Sequence, residues 1–309
     1  CIRDRIHLKA RLRTAYNYAH SRWGDSIYNI GIIPFPHDLP NTAKLPPVKW
    51  LRHSYTDRWF ADPFIVDADD TTFTIFVETY FYGVRKGAIG RIKASREDFR
   101  LLEYNTILEL PTHLSFPAWF KRNGEIYVYP ENSRSGRLNL YRYDAAADRL
   151  IAVDILADEP LTDAVIIPLA DKRFITATTS TDPNGDVCSI LAGGGDGEPF
   201  APLTTLRMTD NTARGAGLPF EHNGTLYRPA QVCNGAYGIG VALQAVTEAP
   251  DGAPALDERC RYMVYDKRYN AGFHTFNRFG DTVVVDGYYY PTGPGTTLFK
   301  YLQKLFFKA

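Results

Sequence analysis

The stretch ADPFIVDADDTTFTIFVE, residues 61–78, contains a short polar-apolar lead-in, a strand, a tight turn and a second strand. Four later stretches repeat this order, and two of their turns are the pairs Asn123-Gly124 and Asn223-Gly224. Asn-Gly is typical of a type I′ hairpin, because both central residues need positive φ. The four copies read SFPAWFKRNGEIYVYPE from Ser115, TDAVIIPLADKRFITATTS from Thr162, GLPFEHNGTLYRPAQ from Gly217 and FHTFNRFGDTVVVDG from Phe273.

The five copies recur at a nearly constant spacing. Their second residues lie 54, 47, 55 and 56 residues apart. A period near 50 residues with several short strands per unit is typical of propeller blades. Further strand-like runs follow the first copies, as in GAIGRIKASREDFRLLEYNTILEL over residues 87–110, which indicates four strands per blade. We therefore expect an all-β, five-bladed β-propeller over residues 28–297. The marker residues are Asp62, Phe116, Asp163, Leu218 and His274.

The fifth blade is incomplete, because only PTGPGTTLFKYLQKLFFKA follows Tyr290. An early strand over residues 28–34, or the run over residues 48–53, is available to pair with this blade. Such a pairing would close the ring and remove an open sheet edge.

Both ends of the chain predict short helices. Residues 1–27 form a basic arm with five cations between residues 3 and 13, and residues 298–309 form an amphipathic tail with Lys300, Lys304 and Lys308. Basic amphipathic helices either pack against their own domain or lie on an anionic membrane surface. We expect a cytoplasmic protein, with peripheral contact at the inner membrane face as the functional alternative to packing.

Composition excludes several classes of protein. The chain balances 35 Lys+Arg against 35 Asp+Glu, so no net charge draws it to a nucleic acid polymer. Its four cysteines form no CxxC pair, which argues against a zinc site and favours a reducing compartment. A lipoprotein segment ahead of Cys1 is the alternative. We predict no metal and no resident cofactor.

The repeat predicts where polar side chains meet. The innermost strands of a propeller line its channel, so equivalent lead-ins converge on one mouth, which brings Asp62, Asp163 and His274 together as candidate catalytic residues. Several carboxylates around one pocket suit base catalysis on a sugar, since some set the pKa of the reacting one. For any single aspartate, capping of a strand end is the alternative. The expected substrate-binding residues are Glu78, Glu131, Arg214, Arg228, Gln231, Asp286 and Trp119.

A set of motifs gives the chain a resemblance to a known family. Over about residues 28–290 it resembles the propeller-like N-terminal domain of plant glucosamine inositolphosphorylceramide transferases and its stand-alone bacterial relatives. The resemblance implies a carbohydrate-active protein. The motifs are WFADPF (59–64), IFVE (75–78), SFPAWF (115–120), YVYPE (127–131), RPAQ (228–231) and FHTFN (273–277).

More distantly, the Ala61-Asp62-Pro63 lead-in is similar to that of inverting arabinanases and xylosidases with five-bladed propellers. This similarity implies Asp62 as general base, Asp163 as modulator of its pKa and His274 as a channel histidine. Those hydrolases place an acidic Glu in blade four before Gly-Pro, whereas this chain reads RGAGLP over residues 214–219. Glu221 is the remaining substitute acid.

The absence of a glutamate before Pro219 favours glycosyl transfer over glycoside hydrolysis. A glycoside leaving group needs a proton, while a nucleoside diphosphate leaves without one if cations such as Arg214 and Arg228 bind it. We therefore expect a glycosyltransferase that moves a sugar from a nucleotide donor to a bacterial surface glycan or glycolipid. The alternatives are an inverting glycoside hydrolase and a propeller that binds glycans without catalysis.

Overall fold

A computed structural model of the chain describes residues 26–42, 44–193, 198–263 and 266–291. These residues form five antiparallel sheets of four strands each, which confirms the predicted five-bladed propeller. In chain order the strands are β1 Ile27–Pro34, β2 Lys49–Trp50, β3 Arg58–Ala68, β4 Thr72–Phe81, β5 Lys86–Ser95, β6 Leu101–Leu108, β7 Ser115–Arg122, β8 Glu125–Glu131, β9 Leu138–Asp144, β10 Arg149–Ala157, β11 Leu161–Leu169, β12 Lys172–Thr179, β13 Val187–Gly193, β14 Phe200–Arg207, β15 Phe220–His222, β16 Thr225–Val232, β17 Gly240–Glu248, β18 Pro254–Met263, β19 Phe276–Phe279 and β20 Thr282–Tyr289.

Blades one to four each use four consecutive strands, starting at β3, β7, β11 and β15. Blade five has the order β19-β20-β1-β2, so both early segments close the ring. β1 pairs with β20 from Ile27↔Tyr289 to Pro34↔Thr282, and β2 adds the outer pairs at Gly31 and Ile32. The predicted closure is therefore confirmed, and it uses both candidate strands together.

The turns follow the local sequence. Asn123 and Gly124 have φ of 52° and 81°, and Asn223 and Gly224 have φ of 50° and 74°, which is the positive φ that type I′ turns need. The blade-three turn consists of residues 170–171, between β11 and β12.

The apolar core lies between adjacent blades. Phe116 and Val165 pack together between blades two and three, while Ile30 of β1 and Phe60 of β3 pack between blades five and one. Because β-strands alternate their faces, both faces of an inner strand are covered, one by each neighbouring blade. Buried polar side chains, among them Asp62, Asp163 and Asp286, also lie where the inner strands meet at the channel.

The helices expected over residues 2–20 and 298–308 fall outside the described residues. Within the described part of the chain, helical structure is limited to two short 3-10 turns, Ser133–Ser135 and Thr209–Asn211. None of the described helices has the length or apolarity needed to cross a bilayer.

Candidate active site at the channel mouth

The lead-ins of blades one, two and three share one unusual backbone conformation. Asp62, Phe116 and Asp163 have φ of 47°, 45° and 44°, and each lies within a register shift of its hairpin. A left-handed conformation at a residue other than glycine costs about 1–3 kcal/mol and concentrates at functional sites. Its repetition at three equivalent positions means that the fold imposes it, and it turns each peptide N–H toward the neighbouring blade.

Each of these N–H groups donates to a carboxylate of the preceding blade. The Asp62 amide donates to Asp286 Oδ2 at 3.2 Å, the Phe116 amide to Asp62 Oδ2 at 3.0 Å and the Asp163 amide to Glu131 Oε2 at 3.2 Å. The expected convergence of Asp62, Asp163, Glu131 and Asp286 is therefore seen in the structure. The hydrogen bonds explain how the carboxylates are held in register around the mouth.

Asp62 lies beside an ion pair in blade five. His274 Nδ1 is 2.6 Å from Asp286 Oδ2, and His274 Nε2 is 3.9 Å from Asp62 Oδ1. The imidazole of His274 is also fixed by rings, with Tyr28 stacked at 5.3 Å and Tyr237 edge-on at 5.1 Å. The exposed fraction is 3% or less for Asp62, His274 and Asp286, so their charges act on one another in a poorly solvated space.

The pKa values of Asp62 and Asp286 are shifted in opposite directions. Burial raises the pKa of Asp62 well above its usual range; the positive charge of His274 opposes this shift, and Glu78, Asp163 and Asp286 add to it. Burial also opposes ionisation of Asp286, but His274 and backbone N–H donors outweigh burial and lower the pKa of Asp286. Asp286 is therefore the fixed anion of this group, and Asp62 is the carboxyl group whose pKa the site raises.

The pKa of His274 makes the ion pair dependent on pH. Burial lowers it, but the Asp286 carboxylate and its hydrogen bond raise it to about 9. A histidine with a raised pKa in the folded state stabilises that state fully below its unfolded pKa, and the stabilisation is lost as pH rises through the folded value.

We expect the stability difference between the wild type and His274→Gln to shrink between about pH 6.5 and about pH 9. One pKa unit corresponds to about 1.4 kcal/mol, so the loss over this range amounts to about 3 kcal/mol. Urea unfolding at a series of pH values measures it. A difference that stays constant from pH 6 to pH 10 would show that His274 is uncharged in the folded protein.

A second polar group surrounds Arg214. Its Nε donates to Asp163 Oδ2 at 2.6 Å, and one of its amino groups lies 3.5 Å from Glu131 Oε2. Gln231 also donates to Asp163 Oδ2 at 2.6 Å. The guanidinium lies over the ring of Tyr237 at 5.0 Å, so Tyr237 stands between Arg214 and His274.

The two cations of the mouth therefore each have a carboxylate partner, Asp286 for His274 and Asp163 for Arg214. Burial first, and then the charge of Asp163, raise the pKa of Glu131, while Arg214 opposes the rise. Glu131 of blade two and Asp62 of blade one are thus two carboxyl groups with raised pKa values. Carboxyl groups with raised pKa values are typical of sites that transfer protons.

Two buried oxygens at the mouth have no hydrogen-bond partner among the described residues. They are Asp62 Oδ1 and Asp163 Oδ1, whereas the Oδ2 atom of each carboxylate is held. A buried polar atom without a partner is uncommon and costs free energy, so a substrate hydroxyl is a natural partner here.

Three side chains at or beside the mouth were not predicted from the sequence. Tyr28 and Tyr237 flank His274, and the Nε2 atom of His113 is 3.2 Å from Glu78 Oε1. The Gly87 N–H donates to Nδ1 of His113, so the hydrogen on Nε2 points at Glu78. All three lie outside the five repeated stretches, so the repeat does not predict their positions.

The expectation that Arg228 faces the pocket is wrong. Arg228 is fully buried and donates to Thr176 Oγ1, Gln244 Oε1 and the carbonyl of Ala213, so it joins blades three and four. Arg228 and Gln231 are three residues apart on β16 and therefore point to opposite faces of the strand. Gln231 faces Asp163, which leaves Arg228 on the other face.

Two further positions differ from the expectation. Trp119 packs against apolar clusters within and beside blade two, so its ring is part of blade packing. In blade four the lead-in pairs with β16 of the same blade at Gly215↔Ala230, ahead of the Leu218 marker. Glu221 is exposed beside the Asn223-Gly224 turn, at the end of the strand away from Gly215, and cannot substitute for the missing acid.

The mouth also offers one set of possible metal ligands that the sequence did not predict. Single ligand atoms of Asp62, His274 and Asp286 lie within 4.8 Å of one another. The protonated imidazole of His274 competes with a cation for this space, since it already supplies the positive charge that Asp286 binds.

Comparison with known proteins gives one family. Residues 48–251 match the family described as "Glucosamine inositolphosphorylceramide transferase 1, N-terminal". The chain is 29% identical over 199 residues to Glucosamine inositolphosphorylceramide transferase 1 of Oryza sativa subsp. indica, covering 62% of this chain and 27% of that protein. It is 29% identical over 196 residues to the Arabidopsis thaliana protein of the same name. The chain spans about a quarter of the length of these relatives.

Solved structures share the architecture. A GH43_1 enzyme from Xanthomonas citri superimposes with a TM-score of 0.51 at 13% identity, covering 91% of this chain and 95% of that one. A GH43 beta-xylosidase/alpha-arabinofuranosidase from a compost microbial metagenome gives a TM-score of 0.52 at 11% identity, covering 76% and 92%. At these identities the similarity shows the fold alone.

Proposed function

We propose that this propeller, which belongs to the glucosamine inositolphosphorylceramide transferase 1 N-terminal family, is a carbohydrate-active enzyme that uses Asp62 as its base. One observation carries the proposal: Asp62 Oδ1 is buried without a partner while Phe116 N–H fixes Oδ2. A carboxylate held on one oxygen presents the other to a substrate hydroxyl in a defined direction. Its raised pKa makes it a strong base when ionised.

The reaction that suits this site best is glycosyl transfer from a nucleotide sugar to a glycan or glycolipid. Asp62 Oδ1 takes the proton of an acceptor hydroxyl while the hydroxyl oxygen bonds to the anomeric carbon of the donor sugar. The bond from that carbon to the phosphate oxygen breaks, and its electron pair leaves with the nucleoside diphosphate. Blade four presents Arg214, a cation, at the level of Asp163, and this favours an anionic leaving group.

Glu131 favours a second candidate, inverting glycoside hydrolysis. Burial and Asp163 raise the pKa of Glu131, which favours its protonated form as the proton donor to an alkoxide leaving group. In that reaction Asp62 would activate a water molecule instead of an acceptor hydroxyl.

Assays with two substrate classes separate the candidates. We expect the purified chain, given a panel of nucleotide sugars and a glycolipid extract, to release nucleoside diphosphate only when the acceptor is present. Nitrophenyl glycosides serve as hydrolase substrates in parallel. Release of nitrophenol that Asp62→Asn abolishes would overturn transfer and establish hydrolysis. Inactivity with both classes, with glycan binding retained, would establish a binding propeller.

A further inference from the structure

A second opening lies beside the mouth, between blades five and one. We call it the rim groove; it has a volume of about 540 Å³. It is lined by the start of β1, by β2 with the following segment, and by the chain leading into β3. The lining side chains that carry the argument are Tyr28, His53, Arg58, Trp59, Arg268 and Tyr289.

The charge of the rim groove is opposite to that of the mouth. Its lining contains three arginines, Arg52, Arg58 and Arg268, and no aspartate or glutamate. Arg52 and Arg58 have carboxylate partners, Asp98 and Asp57, that stand outside the lining. The groove is therefore positive and adjoins a channel mouth that is rich in carboxylates.

Arg268 is the cation most available to a ligand. It is exposed, its guanidinium lies over the ring of Tyr269 at 5.2 Å, and within the described part of the chain it makes no ion pair. Asp266 is near in sequence, but its carboxylate accepts from Trp50 and from the backbone amides of residues 268 and 269. The guanidinium thus keeps its full set of donors for an incoming anion.

His53 adds a polar atom without a partner. Its Nδ1 is buried and has no hydrogen-bond partner among the described residues. Burial first, and then the charge of Arg268, lower the pKa of His53, so the ring is neutral at physiological pH. A neutral imidazole beside a free guanidinium can hydrogen-bond to an oxygen-rich anion without adding charge.

Aromatic rings connect the rim groove to the mouth. Trp59 stacks on Tyr80 at 4.7 Å with an interplanar angle of 6°, and Tyr28 lies 4.6 Å from Trp59. Tyr28 in turn stacks on His274 at 5.3 Å. The Tyr28 ring therefore lies between the groove and His274 of the mouth.

We propose that the rim groove binds the phosphate-bearing part of the substrate and thereby places the attached sugar at Asp62. A neutral glycan would use the aromatic walls but would leave Arg268 without a counterion. Phosphate oxygens match the guanidinium, and a ring attached to the phosphate matches the aromatic walls. This assignment rests on the proposed function for the reaction itself, but the binding step is measurable without turnover.

The phosphate can come from either substrate of the transfer. A nucleoside diphosphate would belong to the donor, and a phosphorylated lipid headgroup would belong to the acceptor. Titrations with UDP, ADP and GDP test the nucleotide donor as the source of the phosphate. Binding is measured by calorimetry and by the change in tryptophan fluorescence, to which Trp50 and Trp59 contribute. Sedimentation with phosphatidylcholine vesicles, with and without phosphatidylinositol, tests the lipid acceptor as the source.

The decisive comparison uses Arg268→Glu beside Arg149→Glu. Arg149 is an exposed arginine on the outer strand of blade two, so its reversal changes net charge equally. We expect Arg268→Glu to weaken binding of the phosphate-bearing probe by about tenfold or more, and Arg149→Glu to leave it unchanged. Because both sites are exposed, circular dichroism should show both variants folded.

Each outcome decides the proposal. Binding of a nucleotide, or of phosphatidylinositol vesicles, that depends on Arg268 and not on Arg149 supports it and identifies the source. No binding of any phosphate-bearing probe, or equal binding by both variants, overturns it. Repeating the titration with Asp62→Asn separates the two proposals, since binding should persist there whatever the reaction is.

Discussion

Replacement of Asp62 by asparagine is expected to lower turnover by about 10²–10⁴-fold, the usual contribution of a general base. The amide keeps the size of the side chain and an oxygen for the Phe116 N–H. It loses only the ability to take a proton at the position of the unpartnered Oδ1. Steady-state kinetics should therefore show the loss in kcat, with little change in KM.

Asp67→Asn is the matched control for this experiment. Asp67 lies on the same strand, β3, but is exposed near the turn at its far end. It should retain wild-type turnover. Equal activity of Asp62→Asn and Asp67→Asn would show that Asp62 only accepts the Phe116 amide and closes the ring of hydrogen bonds.

The pH profile tests the role of Asp62 independently. A base must be ionised, so activity should rise with pH through the pKa of Asp62, which burial raises above the usual range of aspartate. The acid limb of the kcat/KM profile should accordingly lie above that of an exposed carboxylate and should disappear in Asp62→Asn. A limb at the ordinary pKa of aspartate would contradict the assigned environment.

Much of this fold could be predicted because the repeat consists of short-range sequence patterns, namely tight turns and the strands on either side of them. The pairs Asn123-Gly124 and Asn223-Gly224 fix hairpins whose register carries Asp62 and Asp163 to equivalent places. Closure was predictable because blade five lacked strands and residues 28–34 read as one. These signals operate within a single hairpin and need no knowledge of distant contacts.

The errors arose where the register is not local. In blade four the lead-in already pairs with β16 at Gly215, earlier than the repeat implies, so Leu218 is not equivalent to Asp62 and Asp163. Arg228 was misplaced although strand alternation from Gln231 would have excluded it from the mouth. His113 and Tyr237 lie in connections between strands, whose paths depend on tertiary packing.

The largest effect on stability is expected from Asp286→Ala. The Asp286 carboxylate is fully buried and accepts the backbone N–H groups of Asp62, His274 and Thr275 at 3.0–3.2 Å, besides pairing with the His274 imidazole. It lies on β20, next to the strand that closes the ring. Alanine would leave three amides without an acceptor and a buried cation without a counterion.

Removal of one partner of a buried ion pair typically costs about 3–5 kcal/mol, because the other charge remains uncompensated. We expect a loss of about this size in the free energy of unfolding, measured in urea from the transition midpoint at unchanged m-value. Asp281→Ala is the control. Asp281 lies in the turn of the same hairpin, its side chain is 84% exposed, and its contact with His37 spans 3.7 Å. Its loss should stay within about 0.5 kcal/mol.

A double variant shows whether charge or hydrogen bonding dominates at Asp286. Asp286→Asn combined with His274→Gln removes both charges and keeps side chains of similar size that can accept and donate. If the uncompensated charge is the main cost, the double variant should be more stable than Asp286→Asn alone, since the coupling between contacting residues is then favourable. A double variant as unstable as the sum of the two single losses would instead assign the stability to the backbone amides that Asp286 holds, and blade closure would then depend on hydrogen bonds alone.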